Sequence, residues 1–295
     1  MTFSILVANY NNGRFFKDCY NSILAQTYHD WEVIIVDDAS TDDSVEIIED
    51  IIKDDKRFLL FKNEINKGCG FTKRKCVEKA GGKFCGFLDP DDALLPHALE
   101  EMVNAFNNNP VEVLIHSNLF ICSETLDRKG LHPSAGAVKD IGDFYFNYAP
   151  PYNNAGPVIA FTSFKKSAYL ATEGIDPYML RAVDQDLYLK LWEVGPFFYL
   201  DKPLYLYRIH EGGISHANKE GRAFYWHWYA VMQAAKRRNI NIEDMFVQVF
   251  ISKGKYDRLL SSLNNSEFHK LSKIFAPVKG ALKSLGFFTD PKQKK

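Results

Sequence analysis

Four short apolar runs, each closed by polar or acidic residues and separated by stretches of helical periodicity, set the fold class before any motif is read. They are Phe3 to Ala8, Trp31 to Val36, Phe58 to Phe61 and Phe84 to Leu88. Continuous rather than alternating apolar character is the pattern of strands covered on both faces, as in a parallel sheet crossed over by helices. Between the runs, Phe16, Cys19/Tyr20 and Ile23/Leu24 recur at helical spacing. Val45, Ile48 and Ile52 do the same after Ser40 or Thr41, either of which the pattern offers as a helix N-cap. A third helix is expected from Phe71 to Ala80, carrying Lys73, Arg74 and Lys75 and stopped by Gly81-Gly82. The alternation predicts an α/β fold with a doubly wound, mostly parallel sheet flanked by helices.

The fourth run ends in Asp89-Pro90-Asp91-Asp92, three carboxylates within four residues, with Pro90 ending the strand. Carboxylates this close repel one another unless a cation or solvent intervenes. The carboxyl end of a strand is where open α/β sheets bind ligands. Mg²⁺ or Mn²⁺ is the natural partner, shared between protein carboxylates and a substrate diphosphate. The plain structural alternative is a solvated acidic turn in which Asp91 or Asp92 caps a helix before Leu94-Leu95-Pro96. The turn after the first strand has no G-x-G-x-x-G, and the chain has no G-x-x-x-x-G-K-[ST], which sets aside the dinucleotide and P-loop folds. Two acidic strand ends remain, Asp37-Asp38 and Asp89 to Asp92, with the basic helix between them. Acids at a strand end accept hydrogen bonds from a base or ribose, and lysines neutralise phosphate oxygens.

Composition excludes more than it selects. The formal net charge of −1 over 295 residues gives no electrostatic reason to expect nucleic acid as a partner. Five scattered cysteines without a C-x-x-C pair argue against a disulfide framework and a zinc site, and fit a cytoplasmic setting. No leader is read at the N-terminus, and no apolar run reaches membrane-spanning length.

Further along, Val111 to His116 reads as a strand ended by Ser117-Asn118, and residues 123 to 157 are irregular. Within them Pro150-Pro151-Tyr152-Asn153-Asn154 is either an acceptor-binding wall or a surface loop. Phe161 to Phe164 leads into a helix from Lys165 to about Thr172. In Arg181 to Leu191, helical spacing turns Val183, Leu187 and Leu191 inward and leaves Asp184 at the helix start, as a cap or facing a cleft; Asp186 reads as a first-turn acid. Leu204 to His210 alternates like a strand, Gly212-Gly213 and Ser215 suggest a loop, and Phe224, Trp226 and Trp228 open a helix running to Arg238. The tail from Phe268 to Phe288 mixes lysines with apolar residues. It suits peripheral contact with an anionic membrane, packing on the domain, or a second copy in a homodimer.

The ordered set N-Y-N after the first strand, W-E-V-I-I-V-D-D-A-S-T-D, N-x-G and D-P-D-D resembles the family 2 glycosyltransferases of the GT-A fold. The likeness is close over residues 1 to about 115 and weaker to about 215. It implies an inverting, metal-dependent transfer from a nucleotide-sugar donor, most often a UDP-sugar. The implied acceptor is a glycan or lipid-linked saccharide in cell-surface polysaccharide synthesis. By position, Ala8 and Tyr10 match the donor-nucleotide edge, Asp38 the carboxylate that meets the base, and Asp89 the residue toward ribose or a metal-bound water. Asp91 matches the metal ligand, with Mg²⁺ or Mn²⁺ as cofactor, and Asp92 is a third acid without a clear role. Lys73 stands where many members have an arginine near the diphosphate. Asp184 matches the catalytic base, although Val183 replaces the glutamate that usually precedes it. Tyr207-Arg208-Ile209-His210 resembles Y-R-x-H, giving Arg208 to the diphosphate and His210 to the metal. The implied organisation is a nucleotide-sugar half (1–115), an acceptor half (116–215) and a helical C-terminal extension (216–295). The departures at Val183 and Lys73 leave open the alternative of a non-catalytic sugar- or nucleotide-binding module with this fold.

Overall fold

The computed structural model describes residues 2–139, 156–210 and 220–244, together with positions 246, 254, 258, 261 and 262. The aromatic stretch at 150–154, the glycine turn at 212–215 and the basic tail at 268–288 lie outside the described residues. One compact unit comprises residues 1–148 and 153–241, and a second comprises 149–152 and 242–295. Of the second, a helical turn is described in which the Phe246 N–H donates to the Ile242 carbonyl at 2.9 Å. Everything below concerns the first unit.

Its N-terminal half is the parallel sheet the apolar runs predict. Strands β1 (Phe3–Asn9), β2 (Trp31–Asp37), β3 (Phe58–Lys62) and β4 (Phe84–Phe87) lie in the order β3-β2-β1-β4, all parallel. The crossovers run through α1 (Phe16–Leu24), α2 (Ser44–Ile52) and α3 (Cys69–Lys79). Every residue of β2 is buried, which is why its sequence is a solid apolar run rather than an alternation. The entry ends of these strands are tied by a buried polar cluster. Ser4 donates to Glu32 Oε1 at 2.7 Å, and the N–H groups of Gly81 and Gly82 donate to Glu32 Oε1 (2.6 Å) and Ser4 Oγ (2.8 Å). A Cβ on Gly82 would sit 2.7 Å from the Ser4 backbone nitrogen, so this turn requires glycine for proximity.

Beyond β4 the sheet continues through β8 (Thr162–Lys165), β6 (Leu114–Cys122), β9 (Phe197–Arg208) and β5 (Ala93–Leu94), with β7 (Arg128–Leu131) on β6. Here β6 and β9 are parallel, while β8 runs antiparallel to both β4 and β6. Helices α4 (Ala98–Asn108), α5 (Lys166–Leu170), α6 (Val183–Trp192) and α7 (Glu220–Arg237) complete the unit. Among the described residues no helix is long and apolar enough to cross a membrane.

Three local expectations are corrected. The N-cap position of α2 is Asp43, with no capping side chain. Ser40 instead donates to the buried Asp37 carboxylate (2.6 Å), and the Thr41 N–H goes to Asn11 Oδ1 (2.7 Å). No helix starts at Asp91 or Asp92: the chain enters β5, and α4 begins later with His97 at its N-cap position. β6 does not stop at Ser117-Asn118, because a register shift there lets the strand resume against β9 as far as Cys122. β6 thus spans Leu114–Cys122 within one continuous sheet.

His116, on β6, is buried beside the Tyr199 ring (centroids 5.2 Å apart), and burial pushes its pKa down to about 4 from 6.5. The folded protein thus binds this proton less readily than the unfolded chain. The stability associated with the neutral ring is complete above pH 6.5 and is lost as pH falls toward about 4. In urea titrations across that window, His116→Leu is expected to gain on the parent as pH drops, by up to about 3 kcal/mol. A difference independent of pH would remove this reading.

Candidate active site

The site is built where strand ends, the start of α3 and the start of α6 meet. At its first edge, Asn9 Nδ2 donates to Asp37 Oδ2 (2.7 Å), joining the ends of β1 and β2. Ala8 is half-buried and Tyr10 is 47% exposed, so this edge is open. Asp38 is different. It is buried, and its carboxylate accepts from Asn63 Nδ2 (2.8 Å), the Lys67 N–H (2.9 Å) and the Gly68 N–H (2.7 Å). Expected to meet a base, it stands under the Asn66-Lys67-Gly68 loop and shapes that edge from beneath.

Lys73, Arg74 and Lys75 of α3 diverge because successive helical positions are about 100° apart. Arg74 clamps the Glu173 and Ile175 carbonyls (3.2 and 3.0 Å), and Lys75 reaches Asn63 Oδ1 (2.7 Å). Lys73 points into the cleft: its Nζ is 2.8 Å from Asp184 Oδ1, 3.9 Å from Asp89 Oδ1 and 5.0 Å from the Phe87 ring centre. Burial alone would favour the neutral amine, but Asp184 and Asp89 outweigh it and hold the ammonium well above the ordinary lysine range. The approach depends on Gly70, whose N–H donates to the Met179 carbonyl at 2.8 Å; a Cβ there would lie 2.4 Å from the Asp176 carbonyl oxygen.

Asp184 sits in the first turn of α6, half-exposed, two residues after Ala182, whose φ of 52° is a left-handed conformation costing about 1–3 kcal/mol for a residue with a Cβ. Packing holds that geometry. Val183, Leu187 and Leu191 are buried, as their spacing predicts, and Tyr188 Oη donates to Thr162 Oγ1 at 3.1 Å. Asp186 is more than a first-turn acid: it forms a buried pair with Lys190 (2.7 Å), which also donates to the Gly174 carbonyl (2.8 Å).

The acidic turn divides its three carboxylates among three environments. Asp89 lies at the cleft floor, with protein on most sides and about half its side chain still open to solvent. Burial pushes its pKa up to about 6, Lys73 opposing the rise and Asp91 and Asp184 adding to it. Asp91 Oδ2 is 2.8 Å from His210 Nε2, and the Arg14 guanidinium approaches His210 Nδ1 at 3.4 Å. Arginine is only a donor, so Nδ1 accepts and the Nε2–H points to Asp91. Asp92 is fully buried: Oδ2 accepts from Tyr205 Oη (2.6 Å) and Oδ1 from the Arg208 N–H (2.7 Å). The Tyr205 hydroxyl also accepts the Asp89 N–H (3.2 Å), so one phenol bridges both ends of the turn.

Arg208, expected at the diphosphate, is buried and committed elsewhere. Its Nε donates to the Asp91 carbonyl (2.6 Å), Nη2 to the Asp18 carboxylate (2.7 Å) and Nη1 to the Glu124 carbonyl. It holds the acidic turn in place rather than offering charge to a ligand. Asp18, Arg14 and Tyr205 belong to no motif: Asp18 lies in the periodic stretch of α1, Arg14 in the turn before it and Tyr205 in the alternation of β9.

The donor set suits a divalent ion. Asp91 offers an oxygen, and His210 would add Nε2 only on giving up the proton it points at Asp91, an oxygen–nitrogen pairing that Mn²⁺ accepts more readily than Mg²⁺. Among the described residues no three His, Cys, Asp or Glu side chains converge on one point. An ion here would complete its shell with ligand oxygens and water, as ions shared with diphosphates do.

An acidic turn closing the fourth strand of a curled α/β sheet, with a helix-borne carboxylate facing it, defines a domain of GT-A type. The chain belongs to glycosyl transferase family 2, whose model matches residues 4–170. It is 33% identical over 212 residues to chondroitin synthase of Escherichia coli, covering 70% of this chain and 29% of that protein. To hyaluronan synthase of Pasteurella multocida it is 29% identical over 237 residues, covering 80% and 23% respectively. The chain thus spans less than a third of the length of these relatives. Among solved structures, S. aureus TarS 1–349 in complex with UDP-GlcNAc superposes with a TM-score of 0.62 at 18% identity, covering 79% of this chain and 67% of that one, a likeness of fold.

Tyr205→Phe keeps the ring and deletes the hydroxyl, leaving Asp92 Oδ2 and the Asp89 N–H without that partner. A loss of about 1–3 kcal/mol in chemical unfolding is expected. In an Asp92→Asn background the same change should cost clearly less, because the charged acceptor is gone; equal costs in both backgrounds would dismiss the bridge.

Proposed function

We propose that this chain is an inverting, metal-dependent glycosyltransferase that moves a sugar from a UDP-sugar to a hydroxyl of a glycan or lipid-linked saccharide during cell-surface polysaccharide synthesis. The observation that carries the reading is the half-open Asp184 carboxylate across a cleft from Asp89, with the Lys73 ammonium between them. The UDP complexes of TarS support a uridine nucleotide, and the chondroitin and hyaluronan synthases among its relatives support a glycan product.

In the reaction the acceptor oxygen forms a bond to the anomeric carbon while the bond from that carbon to the diphosphate oxygen breaks, its electron pair leaving with UDP. Asp184 takes the hydroxyl proton as the oxygen attacks. Ala8 and Tyr10 line the nucleotide edge braced by Asp38, and Lys73 and Asp89 face the diphosphate and ribose. Asp91 and His210 would hold Mn²⁺ or Mg²⁺, which when bound offsets charge on the departing diphosphate. Arg208 keeps Asp91 in place. Much of the remaining rate gain lies in holding donor and acceptor in line.

Release of UDP from a panel of UDP-sugars, with chondroitin and hyaluronan oligosaccharides as acceptors, tests this reading. Asp184→Asn should lower transfer about 10²–10⁴-fold while UDP still binds; transfer at the parental rate would remove Asp184 as the base. Chelation with EDTA should abolish transfer and Mn²⁺ should restore it, whereas full activity in EDTA would exclude the metal role of Asp91 and His210.

A further inference from the structure

We propose that Lys73 is a positioning residue that makes the base wait for the donor: it holds Asp184 in the free protein and is drawn away from it by the donor's phosphates. The inference rests on the functional reading above and adds an order of events to it.

Three observations lead to it. First, the ammonium reaches two carboxylates from different elements, the acidic turn and α6, 2.8 Å from Asp184 and 3.9 Å from Asp89. Both acids are about half-exposed, 51% and 49% of their side chains, while the lysine side chain is 9% exposed. The shared cation is thus the buried partner, and the two acids are the ones that meet ligands. Second, Lys73 is buried and its Nζ lies 5.0 Å from the Phe87 ring centre, so its charge is confined to this span. Third, the neighbouring cations are committed: Arg74 to two carbonyls, Lys75 to Asn63, and Arg208 to Asp18 and the turn. Lys73 is therefore the α3 cation positioned for a diphosphate bound beside Asp89.

The consequence follows from charge. An Asp184 oxygen that accepts a hydrogen bond from an ammonium has one fewer lone pair for an acceptor hydroxyl. A diphosphate brings more negative charge than one carboxylate and competes for the same ammonium. Once Lys73 turns to the phosphates, Asp184 Oδ1 is free for the acceptor. Donor binding thus precedes productive acceptor binding, and a base without a donor stays masked.

The test is a thermodynamic cycle on nucleotide binding, which needs no knowledge of the acceptor. UDP binding in the presence of Mn²⁺ is measured by calorimetry for the full chain, Asp184→Asn, Lys73→Met and the double variant, with dTDP and GDP as parallel probes. If Asp184 and the phosphates compete for Lys73, Asp184→Asn binds UDP roughly three- to tenfold more tightly than the parent, the scale of a partly screened ion pair. That gain should vanish in the Lys73→Met background and persist with Lys73→Arg, which keeps the charge. Lys73→Gln serves in place of Lys73→Met should the latter fail to fold, judged by thermal melting. Equal UDP affinity of Asp184→Asn and the parent, or an undiminished gain without Lys73, would overturn the interlock and leave the transferase reading standing. A parent chain that binds none of the three nucleotides with Mn²⁺ would overturn both.

Discussion

Three carboxylates within four residues cannot share a cleft floor unless each is neutralised in its own way, and much of this domain supplies the means. Asp92 is sealed in the core by a phenol and a backbone amide from β9. Asp91 meets an imidazole that follows the same strand. Asp89, left half-open, faces a lysine from α3. A charge stripped of water costs several kcal/mol unless paired or hydrogen-bonded, so the position of β9 and the depth of α3 are consequences of the acidic turn as much as supports for it.

This arrangement explains why the second half of the sheet is mixed. For Tyr205 and Arg208 to reach the turn, β9 must pass beside β5, and it does so antiparallel, pairing Leu206 with Ala93 and Tyr205 with Leu94. β9 is in turn fixed by its long parallel register with β6, which shifts at Ser117 and Asn118. The shift lets one strand serve the hydrophobic core at its start and the site at its end. Arg208 joins these needs, since its guanidinium reaches α1 through Asp18 and its backbone binds Asp92. A residue that a motif assigns to ligand binding is here spent on alignment.

The base side obeys a different logic. Asp184 is placed by the packing of α6 and by a left-handed entry at Ala182, and Lys73 stands within ion-pair distance of it. A hydrogen-bonded framework around the acidic turn and the Lys73 ammonium near both Asp184 and Asp89 set the charge balance of the site.

Local pattern was enough for β1 to β4, for α1 and α3, and for the inward face of α6, because solid apolar runs and 3.6-residue spacing report burial directly. The acidic turn and Asp184 were also legible, one as a cluster and the other as a position in a motif. Capping of α2 was misread because Ser40 satisfies the buried Asp37 rather than a helix end, a choice that depends on what lies across the β1–β2 edge. Asp38 and Arg208 have ligand-binding chemistry, and folding gives them hydrogen-bond partners 25 to 190 positions away that the local pattern does not show. The sequence by itself determined which segments are strands and helices and which acids end them, since those follow from neighbours along the chain. Tertiary structure alone decided which charges face the cleft and which are buried in pairs, because that turns on distances between residues that only folding brings together.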